Sequence, residues 1–388
     1  MASPTDATDI LLVGGGVAAV RCARTLRREG FDGRIMLVGE EAGAPYNRPP
    51  LSKELLRGDL PDDLVLAEPM RWYERRDISL LSGRRVLELD AETREVALDD
   101  GSRARFERCL LATGAEPRVL PLPGGEQAIL LRTLPHARRL RAAATVAGAG
   151  APVVVVGGSF IGIEVASSLA ALGLRPTIVE IGDRLWSGRL GSELAAWAAD
   201  RLAEAGIAVR SSSRIDRIDG GAWVGDEHLE AAFVVAGVGV LPRVELAGEA
   251  GLQVNDGIVV DREQRTSHPA IWAAGDVARS GRVRIEHWHA AREGGERAAR
   301  SMLGLPALPA PEPWFFSEVA GTSLDVIGLA VEWDEERWVH DRLLAYLVGR
   351  RVVQLASIGS ALGAGQMREL IAGRASLETV RRAAPPPG

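Results

Sequence analysis

The chain has 388 residues, 46% of them hydrophobic and 25% charged, and a formal net charge of −6. That length holds two or three domains with sizeable cores, and the acidic balance argues against nucleic acid as the main partner. No apolar run reaches the roughly 18 residues of a membrane-spanning helix, so no membrane association is expected.

The start MASPTDATD is polar and acidic and lacks an apolar signal core, so the expected location is cytoplasmic. The first element is the apolar run Ile10 to Val13. Gly14, Gly15 and Gly16 follow, then an amphipathic pattern with Val20, Ala23 and Leu26 on one face. This reads as strand, tight turn and helix. The spacing is GxGxxA, with Gly14, Gly16 and Ala19 in the marked positions. Such glycines let backbone approach a pyrophosphate, whose charge the helix N-terminus attracts. Cys22 falls in this helix and Cys109 in a later apolar run. Neither has a paired spacing, and both read as buried small hydrophobes. A second strand, 34–38, ends in Gly39-Glu40. An acid about twenty positions beyond the glycines suits the ribose hydroxyls of a dinucleotide.

Next comes PYNRPPLSK, residues 45–53. Pro49 and Pro50 fix φ and predict a stiff approach to a helix starting near Ser52, with the serine hydroxyl as its cap. Arg48 is expected to face either a nucleotide or a neighbouring carboxylate. Lys53 is the only lysine in the chain; every other Lys/Arg position is arginine.

The strand–turn–helix grammar recurs at PVVVVGGSFIGIEVASSLAALGLRPTIVE. Here the marked positions are Gly157, Ser159 and Gly162, and the second strand ends in Glu180. The Ser159 Cβ crowds a phosphate slightly, while its hydroxyl can donate to one. Glu180 would repel a 2′-phosphate and accept from a 2′-OH, which favours NADH over NADPH. Arg184 lies near it in sequence. Two such units suggest two dinucleotides, one a held flavin and one a passing nicotinamide; the alternative is a duplicated pair that binds one ligand. Only His287 and His289 are close together among six histidines, so no metal site is expected. The tail carries strand-like runs at PWFFSEVAGTSLDVIG, LLAYLVG and RVVQLASIG and a helix at AGQMRELIAG.

Taken together, the first glycine turn, PYNRPPLSK, LLATGAEPR, VGGSFIGIE, VVAGVGVLPRVELA, TSHPAIWAAGDVA and EHWHAA resemble the FAD-dependent, NADH-using ferredoxin reductases of bacterial oxygenase systems. These group with putidaredoxin reductase-like and apoptosis-inducing-factor-like flavoproteins. The likeness runs from about residue 8 to residue 305 and is weaker beyond. It implies an α/β fold with two Rossmann-like dinucleotide-binding domains and a C-terminal α+β domain. The FAD domain, 1–115 with 243–312, would be interrupted by an NADH domain, 116–242, and followed by 313–388.

Residue by residue, the resemblance places Gly14, Gly16 and Ala19 on the FAD pyrophosphate and Glu40 on the adenosine ribose. Arg48, Ala112, Thr113, Gly114, Arg132 and Gly275 would also face the flavin. Val86 would contact the adenine region, or be a plain core strand residue. Asp276 would bond the ribityl chain, or be an ordinary turn aspartate. Trp288 would lie near the isoalloxazine, or pack in the core. Around NADH stand Gly157, Ser159, Phe160, Ile161, Gly162, Glu180 and Gly237. Lys53 matches the lysine beside the reacting edge of the flavin, and Glu164 the glutamate that holds it. A nearby ammonium stabilises negative charge left by hydride transfer, and a compact ammonium fits where a planar guanidinium does not.

The disulfide-reducing relatives place a cysteine pair near the flavin or in the nucleotide domain; this chain has neither. Electrons are therefore expected to leave the flavin directly, to a one-electron partner such as a [2Fe-2S] ferredoxin serving a P450 or a ring-hydroxylating oxygenase. The expected assembly is a monomer or a homodimer. In the tail, FFSEV stands where the family often reads FWSDQ: Phe316, Glu318 and Val319 are the departures. Arg71, Arg75, Arg76, Arg84, Arg85, Arg350 and Arg351 are candidates for a basic docking patch, or are solvated surface arginines. A flavoenzyme for a small organic substrate and an NADH-responsive redox sensor are the alternative functions.

Overall fold

The computed structural model describes residues 6–281 and 283–384. The chain divides into two units. One holds the chain up to Asn47, Asp62–Glu116 and Leu241–Ala310; the other holds Arg48–Pro61, Pro117–Val240 and the chain from Pro311 onward.

In the first unit, the strands Ile78–Ser82, Ile35–Gly39, Asp6–Val13, Arg103–Leu111 and Ile271–Ala273 lie side by side and parallel. Glu95–Leu98 and Val86–Asp90 add antiparallel neighbours beyond Arg103–Leu111. Every residue of Ile35–Gly39 is buried, as for a strand covered on both faces. The helix Val17–Arg28 buries Val20, Ala23 and Leu26, the face its spacing predicts. It packs on the helix Trp288–Met302, whose Gly295 sits so close that an added Cβ would stand 2.1 Å from the Ala18 carbonyl oxygen.

The second unit holds another parallel sheet, in the order Ala208–Arg210, Arg175–Val179, Pro152–Val156, Val234–Ala236, Ile129–Leu130. Its glycine helix, Phe160–Ala171, buries an unbroken run from Gly162 to Leu169. Such all-round burial requires cover on more than the sheet side. The strand Trp314–Val319 and the segment Pro49–Arg57 supply it. That strand is an edge of a five-stranded antiparallel sheet, followed by Thr322–Gly328, Arg351–Ile358, Leu343–Val348 and Glu335–His340. Helices Ala364–Ala372 and Leu377–Ala383 close the chain. The strand Glu335–His340 and the last helix are additions to the elements expected from the tail.

The start of the helix after PYNRPPLSK differs from the sequence expectation. Pro49–Ser52 is a 3-10 turn, Lys53 is the joint, and the α-helix is Glu54–Arg57, closed by Gly58 in the left-handed conformation at φ +87°. Ser52 caps nothing here; its hydroxyl donates to Glu164 instead. Among the described residues no helix is long and apolar enough to cross a membrane.

Candidate functional site

The first glycine turn is shaped by close backbone approach. Gly14 has φ +121°, and an added Cβ would stand 2.1 Å from the Ala112 carbonyl oxygen. Only glycine fits both the dihedral and the space. At Gly16, by contrast, a Cβ would meet nothing within 4 Å, and the helix it begins has no side-chain cap. An uncapped helix N-terminus facing open space leaves its amides for an anion. The residues fit a dinucleotide pyrophosphate.

Around this turn, the Glu40 carboxylate is paired with Arg243 and lies 3.9 Å from Arg85. The Arg243 hydrogen bond holds the Glu40 carboxyl below the usual carboxylate range. Arg243 is also tied to the neighbouring strand end: the Thr113 hydroxyl donates to its carbonyl at 2.8 Å, and its amide donates to Gly114 at 3.0 Å. Ala112 is buried, and Ala19 is in the core. Val86 is buried in the core beside Leu98 and Phe106, as its core-strand reading requires. Gly275, at φ +84°, lies where a Cβ would be 3.2 Å from the Ala18 Cβ. The Asp276 carbonyl accepts from Arg284 at 3.0 Å. Trp288 is half-buried, and its indole N–H donates to Asn47 Oδ1 at 3.0 Å.

The second turn repeats the design with different side chains. A Cβ on Gly157 would lie 2.5 Å from the Gly237 carbonyl oxygen, and one on Gly162 would lie 1.9 Å from the Gly157 carbonyl oxygen. Ser159 is the N-cap residue by position but makes no capping bond, so its hydroxyl is not spent on the helix. Phe160 and Ile161 open that helix; Phe160 packs against Trp186 with ring centroids 5.7 Å apart. The Glu180 carboxylate accepts from the Gly158 amide at 2.5 Å and the Gly182 amide at 2.6 Å. Arg184 is paired with Asp183 at 2.6 Å. These groups also fit a dinucleotide, with an anchored carboxylate where a 2′-phosphate would come.

In this same unit Lys53 and Glu164 meet. Lys53 is 7% exposed and Glu164 is 4% exposed. Lys53 Nζ donates to Glu164 Oε2 at 3.2 Å, and the Phe316 ring centroid lies 5.5 Å from Nζ. Glu164 also accepts from Ser52 at 2.5 Å and from Ser317 at 2.8 Å. A buried carboxylate is tolerated when its oxygens are satisfied in this way. Nζ has three N–H bonds. Glu164 is its one hydrogen-bond acceptor among the described residues. The other departures in the tail motif have local explanations: Glu318 pairs with Arg57 at 2.8 Å, and Val319 is core. Arg48 donates to the Arg132 carbonyl.

Ser52, Ser317, Asn47 and Arg243 were missed as partners. Both serines lie inside stretches singled out in the sequence, but each contacts a residue more than a hundred positions away, which no local pattern reveals. The arginines suggested for docking are partly engaged: Arg84 pairs with Asp100 at 3.1 Å, and Arg76 stacks 4.8 Å from the Trp72 ring centroid. Cys22 and Cys109 are free and fully buried, and burial pushes both thiols up, away from the reactive thiolate.

Residues 8–295 match the family model of pyridine nucleotide-disulphide oxidoreductases. A ferredoxin–NAD(+) reductase component of the anthranilate 1,2-dioxygenase system of Burkholderia cepacia is 37% identical, over 84% of this chain and 82% of that protein. A rubredoxin–NAD(+) reductase of Pseudomonas putida is 32% identical, over 91% of this chain and 98% of that protein. Among solved structures, the covalent putidaredoxin reductase–putidaredoxin complex aligns with a TM-score of 0.91 at 29% identity, over 98% of this chain and 99% of the matched chain.

Proposed function

This chain belongs to the pyridine nucleotide-disulphide oxidoreductase family, and from that premise we propose that it is an FAD-containing, NADH-dependent ferredoxin reductase. Its acceptor is a [2Fe-2S] ferredoxin that feeds a P450 or a ring-hydroxylating oxygenase. It works in the cytoplasm, as a monomer or homodimer. Relatives named as ferredoxin and rubredoxin reductases support the reaction class. The absence of a usable thiol pair supports direct exit of electrons: both cysteines are buried and unpaired.

Bound FAD supplies acceptance of an electron pair and release of single electrons. The side chains bind and orient around that chemistry. Gly14, Gly16 and the helix start at Val17 hold the FAD pyrophosphate, and Glu40 holds the ribose. Gly157, Ser159, Gly162 and Gly237 hold the NADH pyrophosphate, and Glu180 selects the 2′-OH. Lys53 would supply a positive charge to stabilise the negative charge that hydride transfer leaves on the flavin. The observation that carries the reading is this ammonium: it is buried, held by one carboxylate, and has no other hydrogen-bond acceptor among the described residues.

Anaerobic stopped-flow mixing with NADH and, separately, NADPH tests the proposal. Fast bleaching of the flavin with NADH preferred, followed by rapid reoxidation by a [2Fe-2S] ferredoxin, is expected. Absent or equally slow bleaching with both nucleotides would refute the reductase reading and favour the redox-sensor alternative.

A further inference from the structure

Glu164 Oε2 serves two donors, Ser52 and Lys53 Nζ, whereas Oε1 serves Ser317 alone. The terminal torsion of a glutamate is broad and roughly two-fold, so a carboxylate turns easily unless both oxygens are tied. Ser52 is a weak independent restraint. It precedes Lys53 directly, and its carbonyl is bound by the Ser168 hydroxyl at 2.7 Å, so it moves with the segment that carries the lysine. Ser317 comes from the separate strand Trp314–Val319 and is 5% exposed. That strand is itself pinned to the glycine helix: the Ala320 amide, just past its end, donates to the Ser167 hydroxyl at 3.0 Å. The residue before Ser317 is Phe316, whose ring faces the lysine ammonium. One strand thus touches both members of the ion pair, a hydroxyl on the anion and a ring on the cation.

We infer that Ser317 is a positioning residue for Lys53. By fixing Oε1 it keeps Oε2 on the ammonium, which holds Nζ in one place with its remaining N–H bonds ready for an outside acceptor. Without the serine, Oε1 becomes a buried acceptor with no donor, and the carboxylate turns to share its oxygens among Ser52 and Lys53. The C-terminal sheet, through this one hydroxyl, then sets where the lysine ammonium stands. The inference rests on the reading of Lys53 given above.

The single lysine makes a direct test possible. Nitrogen-15 labelling of lysine Nζ in the holoprotein gives one side-chain ammonium resonance, which reports on Lys53 alone. Ser317→Ala is expected to shift that resonance and slow flavin reduction by NADH roughly tenfold, the loss of one charge-assisted hydrogen bond. The KM for NADH should stay near the wild-type value. Ser317→Thr, which keeps the hydroxyl, should restore both readouts. A merely structural serine would give the same resonance and the same reduction rate in Ser317→Ala at wild-type flavin content, and that result overturns the inference. If Ser317→Ala does not fold, Ser317→Cys, close in size but a weak donor, carries the same expectations. If NADH fails to bleach the wild-type flavin, the reductase reading falls, and the resonance shift alone decides the role of Ser317.

Discussion

The helix Val17–Arg28 and the helix Phe160–Ala171 start from the same glycine turn and differ in what lies on their outer faces. The first is covered by a small-residue helix, Trp288–Met302, with Gly295 against the Ala18 backbone. Its acid, Glu40, is held by an arginine side chain. The second is covered by the strand Trp314–Val319 and the turn Pro49–Ser52, and it carries Glu164 into that cover. Its acid, Glu180, is held by backbone amides. In both, the turn has the shape and the uncapped helix start that the proposed pyrophosphate contacts need. What packs on the helix behind it differs: the second helix also carries a buried carboxylate that holds Lys53.

The largest expected effect breaks that difference. Glu164→Ala leaves the Lys53 ammonium buried without its carboxylate and should cost about 3–5 kcal/mol of stability, read by thermal or urea unfolding. Replacing both partners, Lys53→Met with Glu164→Leu, should recover most of the stability while flavin reduction stays slow. Recovery of both together would mean that the pair is structural. A smaller cost follows from crowding the glycine helices. Gly295→Ala, with its Cβ 2.1 Å from the Ala18 oxygen, should lose about 1–3 kcal/mol and release flavin more readily. Gly162→Ala, with its Cβ 1.9 Å from the Gly157 oxygen, should lose a similar amount but raise the KM for NADH at unchanged flavin content. If both variants released flavin equally, the two turns would not serve separate nucleotides.

The two acids should separate as well. Glu180→Ala removes a like charge from the 2′-phosphate position and should narrow the preference for NADH over NADPH by on the order of tenfold in kcat/KM, or about 1.4 kcal/mol. Glu40→Ala should leave that ratio alone and weaken flavin retention. The smallest effect is a pH dependence. Because Arg243 depresses the folded-state value of Glu40, this pair adds stability above the ordinary carboxylate value of about 4.3 and loses it as pH falls through the lower folded value. Both side chains are partly exposed, so screening limits the contribution to no more than about 1 kcal/mol. Arg243→Ala should be less stable than wild type near neutral pH, and the gap should close at the acid end of an unfolding series.

Much of this was legible before the fold was known. Gly14 and Gly157 could be read because their positive φ, +121° and +106°, is a local demand of a tight turn. The strands followed from short apolar runs, and the buried face of Val17–Arg28 from its helical period. Lys53 stood out because no other lysine occurs in 388 residues. Ser52 shows where local reading fails. A serine before a helix is a natural cap, but a buried carboxylate from a distant helix binds its hydroxyl instead.

The sequence by itself determined the two glycine turns, the lone lysine and the lack of a paired thiol, because each is a property of neighbouring residues or of residue counts. Only the tertiary structure decided that Ser52, Lys53 and Ser317 meet on Glu164, that Phe316 lies over the ammonium, and that Arg243 holds Glu40. Those contacts join residues far apart in the chain, and burial in a close-packed interior selects them by geometry and hydrogen-bond need rather than by spacing.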